Sequence, residues 1–159
     1  MIGMNYSFGL LKPDCLKRGI EKRVLAEIEA IGLEIVAIKR VRLTKKEVDI
    51  IWVSCLKENF YKELSKFSLS DDCMVFIVKG DDAITRLSDL VGHYEPMRAG
   101  KDTIRHRFGR SAMENVIHSS ATEETFWKEV SLFFTRSELN RLLTDLKPRV
   151  MPQKQKAIS

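Results

Sequence analysis

Three cysteines, Cys15, Cys55 and Cys73, are all that this 159-residue chain offers for cross-linking. An odd count with no CxxC pair argues against a disulfide framework and against a zinc knuckle, so a reduced intracellular compartment is expected. Eight glycines and four prolines are too few for a collagen-like or mucin-like chain. The longest apolar run, Cys73 to Val78, falls far short of the ~20 residues that cross a bilayer. Met1-Ile2-Gly3-Met4-Asn5-Tyr6 shows no basic region followed by an apolar one, so no secretion signal is read and a soluble, cytoplasmic protein is expected. Between residues 5 and 146 there is no internal repeat, linker or low-complexity tract.

What is present suits one ordinary domain. Hydrophobic residues make up 44% and charged residues 31%, which excludes global disorder. Lysine and arginine number 27 against 22 acidic residues, a net +5 that points to anionic partners: nucleotides, nucleic acid or phospholipid. The domain is read as residues 1–146, with 147–159 a basic, aperiodic tail expected to be disordered.

Alternation of Tyr6, Phe8 and Leu10 predicts a strand over Tyr6–Leu11, broken by Lys12-Pro13-Asp14. Val24, Leu25, Ile28 and Ile31 predict a helix from Glu21 that Gly32 stops. A second strand is expected from Leu33 to about Leu43. Thr44 and Glu47 have capping-box spacing for another helix. Asn59 to Phe67 reads as a short helix with Phe60, Leu64 and Phe67 on one face. Cys73–Val78 is apolar throughout, as in a strand buried on both faces. Asp81–Leu90 is helical, and Gly92–Gly109 is an irregular stretch of the kind that is more often functional than idle. Asn115–His118 reads as a fourth strand, followed by a helix capped by Ser120 or Thr122 and a last helix over Ser137–Leu146. Four strands with interposed helices predict an α/β or α+β sandwich, compatible with an α+β, ferredoxin-like (split βαβ) fold: a four-stranded antiparallel sheet covered by helices.

The common phosphate loops, GxxxxGK[ST] and GxGxxG, are absent, and the three histidines lack metal-ligand spacing. Surface aromatics interleaved with basic residues are too few to favour RNA. His118 carries more information. Alternation places it on the strand face opposite Ile117. Glu129, eleven residues later, falls about 40° beyond the apolar stripe of the following helix. It is either a solvated flank or a carboxylate that fixes an imidazole tautomer. Lys12 at a strand end, and Arg98, Lys101, Arg105 and Arg107 in the loop, are each either solvated or phosphate ligands.

Taken together, these segments resemble the nucleoside diphosphate kinase family. The resemblance rests on Leu10-Leu11-Lys12-Pro13-Asp14 with Arg18-Gly19, on Thr103-Ile104-Arg105 with Phe108, and on Asn115-Val116-Ile117-His118-Ser119-Ser120, in one register without gaps from Lys12 to Glu129. It implies transfer of the γ-phosphate of a nucleoside triphosphate to a nucleoside diphosphate, in ping-pong fashion, through phosphorylated His118. By position, Lys12, Arg105 and Asn115 would hold phosphates and ribose, Glu129 would orient His118, Ser120 would bond to Glu129, and Phe60 would stack on the base. Mg²⁺ would ride on the nucleotide's phosphates, with no protein metal site. A homo-oligomer, tetramer or hexamer, is implied as well.

The chain departs from the family pattern at several places. Ser88 replaces an arginine and Tyr94 a threonine at phosphate-binding positions, and Trp52 replaces a tyrosine near the histidine. Ser119, Ala121 and Glu95 stand where glycine, aspartate and asparagine are usual. Arg86, Arg98 or Lys101 are candidates to make up the missing contact. An alternative expectation is a catalytically weak or inactive nucleotide-binding or assembly module of the same fold. Nucleic acid and membrane are not expected partners.

Overall fold

The first strand, β1 (Tyr6–Leu11), is buried along all six residues, beyond the one-sided alternation expected of it. The computed structural model, which describes residues 3–146, gives the reason: β1 is an inner strand with helices against both faces. Tyr6, Phe8 and Leu10 enter one core and Leu11 the other. Gly9 shares the face of Leu11. A Cβ there would stand 2.2 Å from the ring of Phe76, its partner across the register, so glycine is what lets that ring lie over β1.

Three more strands complete one sheet: β2 (Glu34–Val41), β3 (Cys73–Lys79) and β4 (Ile117–Ser119), in the order β2-β3-β1-β4, with every pair antiparallel. This is the expected ferredoxin-like α+β arrangement. One layer packs α3 (Lys45–Ile51), α4 (Tyr61–Ser68), α7 (Glu123–Phe133) and α8 (Arg136–Leu142) on the sheet through Val48, Leu64, Phe126, Val130 and Leu139. The opposite layer holds α1 (Pro13–Lys17), α2 (Glu21–Ala30), α5 (Ala83–Val91) and α6 (Ile104–Phe108), which bury Val24, Ile28, Leu87 and Ile104. Each large side chain so buried stabilises the fold by about 1.5–3 kcal/mol before entropy is counted.

Several boundaries differ from expectation for local reasons. Pro13 opens α1 where a bare break was read, because the first turn of a helix does not need the missing N–H. The stretch 92–109 contains a 3-10 turn at Pro96–Arg98 and the five-residue α6, capped by Thr103 and too short to show a period. The cap of α7 is Thr122, which leaves Ser120 free for another partner. The last helix ends at Leu142, and β4 starts at Ile117, because Val116 has φ 76° and cannot join a strand. Phe60 precedes α4 as its N-cap and is 48% exposed, while Tyr61, Leu64 and Ser65 face inward. The tail read at 147–159 lies outside the described residues.

Candidate active site

The sheet brings the chemistry together where the inner strand β1 ends beside the edge strand β4. β1 runs straight into Lys12, and β4 lies beside it with His118 opposite Leu10. Two backbone bonds fasten this edge: Lys12 N–H donates to the Val116 carbonyl at 2.8 Å and Ser120 N–H to the Phe8 carbonyl at 3.0 Å. Ile117 is buried in the α5–α6 layer, so the next side chain, His118, faces the α3–α7 layer, as alternation required.

There it meets Glu129. His118 Nε2 lies 3.0 Å from Glu129 Oε2, and Ser120 Oγ donates to Glu129 Oε1 at 2.5 Å. The carboxylate is 3% exposed, so the solvated-flank reading is excluded. A carboxylate accepts, so the proton belongs on Nε2 and the Nδ1 lone pair is left free. The Trp52 ring stands 5.5 Å from the imidazole, centroid to centroid, tilted by 60°.

Lys12 approaches from the strand end, with 2% of its surface exposed. Its ammonium donates to the Met113 carbonyl and to Asn115 Oδ1, both at 2.9 Å, and lies 5.8 Å from the Trp52 ring centre and 5.6 Å from that of Phe67. Two of its three N–H groups are thereby used, and one remains for an anion. Burial pushes its pKa down to about 8; the Asp14 carboxylate opposes that fall and Arg105 adds to it. Asn115 is fixed on its other side as well, since Nδ2 donates to the Tyr94 carbonyl at 2.9 Å.

Arg105 projects from α6 and spans two carbonyls, Gly92 at 2.9 Å and Ile117 at 2.6 Å, the latter next to His118. Its Nε is buried with no hydrogen-bond partner among the described residues, and burial lowers its pKa to about 10. A free imidazole nitrogen, an orienting carboxylate and two desolvated cations suit transfer of a highly charged group such as phosphoryl.

The comparisons agree with this chemistry. The model of the family described as "Nucleoside diphosphate kinase" matches residues 5–139. The chain belongs to the nucleoside diphosphate kinase family. A nucleoside diphosphate kinase of Neorickettsia sennetsu is 37% identical over 136 residues, covering 86% of this chain and 98% of that relative. One from Rhodovulum sulfidophilum is 36% identical over 133 residues, covering 84% and 95%. Among solved structures, the Encephalitozoon cuniculi nucleoside diphosphate kinase superposes with a TM-score of 0.80 at 26% identity, covering 96% of this chain and 99% of that one. The Halobacterium salinarum nucleoside diphosphate kinase, solved in complex with CDP, gives 0.79 at 26% identity, covering 85% and 91%.

Within this member of the family, Lys12, Trp52, Arg105, Asn115, His118, Ser120 and Glu129 form one connected group. Phe60 and Ser88 stand apart from it: both are exposed, and neither side chain bonds to the group. Tyr94 contributes its carbonyl, while its ring is 55% exposed and stacks on His93 with centroids 4.5 Å apart. Arg86 does not make up for the arginine absent at position 88. Its guanidinium bonds to the carbonyls of Asp81 and Ile31, at the sheet end opposite Lys12. Glu95 turns toward Arg98, 3.9 Å away.

Two contributors escaped the sequence reading. Ile117 N–H bonds to the Asn115 carbonyl at 2.8 Å across Val116, a γ-turn in the left-handed region that costs a β-branched residue about 1–3 kcal/mol. Asp14 Oδ2 accepts the Val116 N–H at 3.0 Å. Nothing in residue spacing marks either one, because the turn is backbone and the Asp14 carboxylate takes a backbone N–H as its partner.

Proposed function

We propose that the chain is an active nucleoside diphosphate kinase that works through phosphorylated His118. The observation that carries this reading is the 3.0 Å Glu129–His118 bond, which engages Nε2 and leaves Nδ1 without a hydrogen-bond partner among the described residues. In the first half-reaction the Nδ1 lone pair forms a bond to the γ-phosphorus, and the bond from phosphorus to the β–γ bridging oxygen breaks. The nucleoside diphosphate leaves with that electron pair. In the second half-reaction a terminal oxygen of another nucleoside diphosphate attacks the phosphohistidine and the N–P bond breaks. Lys12 and Arg105 hold the phosphoryl oxygens as charge spreads over them, Asn115 binds ribose or phosphate, and Ser120 steadies Glu129.

Phe60, exposed at the start of α4, serves as the stacking surface for the base, and Trp52 lies beside His118. With Ser88 and Tyr94 at two of the family's phosphate-binding positions, the site has one fewer charge-assisted contact, which lowers affinity or rate by roughly 10- to 150-fold. Mg²⁺ enters as part of the nucleotide substrate. The Glu129 carboxylate, bonded to His118 and Ser120, is not free to hold it. A relative solved with CDP supports a nucleoside diphosphate as one substrate. We place the protein in the cytoplasm as a homo-oligomer, tetramer or hexamer. The exposed edge of β2 supports self-association, and no helix among the described residues is long and apolar enough to cross a membrane.

The test is incubation with γ-labelled ATP and Mg²⁺, beside His118→Ala. The expected result is protein-bound label, stable to alkali and lost in acid, that needs His118 and moves to added GDP. Nucleotide binding with no label would overturn the kinase reading and establish a non-catalytic nucleotide-binding module.

A further inference from the structure

We infer that Asp14 is a positioning residue of this site: its carboxylate holds the Val116 turn that aims Asn115 and His118, and it supplies the counter-charge to the Lys12 ammonium. It touches neither substrate nor reacting atoms, and its effect passes through Val116 and Lys12.

The geometry ties Asp14 to both groups at once. It sits in the first turn of α1, two residues after Lys12, and is 3% exposed. Oδ2 accepts the Val116 N–H, while the Val116 carbonyl accepts the Lys12 N–H, so the γ-turn is clamped at both ends to the Lys12-Pro13-Asp14 segment. On one side of that turn Asn115 meets the Lys12 ammonium; on the other, Ile117 leads into His118. Asp14 Oδ1 is buried with no hydrogen-bond partner among the described residues. Holding the Val116 N–H needs only one acceptor, which a neutral amide would provide, so a half-satisfied buried carboxylate is costly for that task alone. What the carboxylate adds is charge.

That charge has a recipient. The groups that face Lys12 are Asp14 on its own segment, Arg105 from α6, Cys73 from β3 and Cys55 from the turn after α3. Asp14 makes the largest contribution holding the Lys12 pKa up against burial, and Arg105 works the other way. Asp14 itself faces Lys12 and Glu114, and burial raises its pKa above the ordinary carboxylate value.

The experiment compares wild type with Asp14→Asn in two ways. The first is kcat/KM for the nucleotide as a function of pH, which reports the free protein; this arm rests on the kinase reading. Wild type should lose kcat/KM above about pH 8, as Lys12 deprotonates. If Asp14→Asn lowers that limb by about one pH unit, the variant falls about eightfold below wild type at pH 8.5 and stays within about twofold at pH 6.5. The second arm needs no activity: the ¹³Cε resonance of Lys12, assigned through Lys12→Arg, should titrate near pH 8 in wild type and lower in Asp14→Asn. Parallel pH profiles, or a Lys12 resonance unmoved by the substitution, would overturn the inference. No turnover by wild type at any pH, with the resonance moving as expected, would sink the kinase reading and leave the role of Asp14 standing. If Asp14→Asn does not fold, the Val116 amide proton in wild type should titrate with Asp14, above pH 3.8. Its failure to titrate overturns the clamp.

Discussion

A buried carboxylate needs partners for both oxygens, and Glu129 has them in His118 and Ser120. Each bond serves the other, since Ser120 fixes one oxygen and thereby aims the second at Nε2. The pair explains why a helix interior carries an acidic residue beside Phe126 and Val130, where burial would otherwise be costly. Glu129→Gln keeps the size of the side chain and an acceptor for one partner, but it removes the charge and sets an N–H against the other. We expect the rate of His118 labelling from ATP to fall by roughly 10- to 150-fold, the worth of one charge-assisted bond, with nucleotide affinity and the far-ultraviolet spectrum nearly unchanged. Single-turnover labelling measures it. A variant that labels as fast as wild type would remove Glu129 from the mechanism.

At the scale of elements, what could be read in the residues followed from length. α2, α3 and α7 are long enough to repeat an apolar face or to show a capping box, and their residues foretold them. α1 and α6 have five residues each, less than two turns, and no period can appear in so few. The Val116 γ-turn was invisible for another reason: valine disfavours positive φ, so its conformation is imposed by the bonds to Asp14 and Lys12. Read singly, Glu129 and Lys12 could be solvated or functional, and it was the shared resemblance to one family that set them beside His118 as candidates; the backbone that aims them left no mark in the residues.

One element also presents a free edge. β2 is eight residues long, ends the sheet, holds no proline and exposes Ile38 by 46%, while its Lys39 and Arg40 are paired within the chain with Glu138 and Asp72. Edges of this kind are ready to pair with a copy, and a charge on them opposes pairing. If the proposed oligomer is built on this edge, Ile38→Lys should shift the sedimentation-equilibrium mass toward the 18.3 kDa monomer without loss of helix content. An unchanged mass would place the contact elsewhere.

For the whole molecule, the site's charges set how stability varies at alkaline pH. Lys12 binds its proton less tightly folded than unfolded, with a pKa of about 8 against 10.5. Between those values the unfolded chain carries the extra proton, so stability rises with pH, by at most about 1.4 kcal/mol per unit for one group. Cys15 and Cys73 act in the opposite sense. Burial pushes both thiols up to about 12 from 9.0, so above pH 9 the folded state holds two protons that the unfolded chain has lost. Two thiols outweigh one lysine, and stability should turn downward. Above pH 10 Arg105, lowered to about 10, pulls stability up, but Tyr61, raised by burial and by its bond to Asp49, cancels it. The nucleotide-free protein should therefore be most resistant to urea near pH 9, with a shallow rise of roughly 0.3 kcal/mol from pH 8 and a steeper decline of about 1 kcal/mol per unit beyond. Denaturation midpoints from pH 7.5 to 10.5 would display it. Cys15→Ala with Cys73→Ala should abolish the fall between pH 9 and 10.5 and leave the lysine's rise. A midpoint that drops steadily from pH 7.5 would mean that Lys12 is not desolvated, and the tuned cation of the proposed phosphate site would go with it.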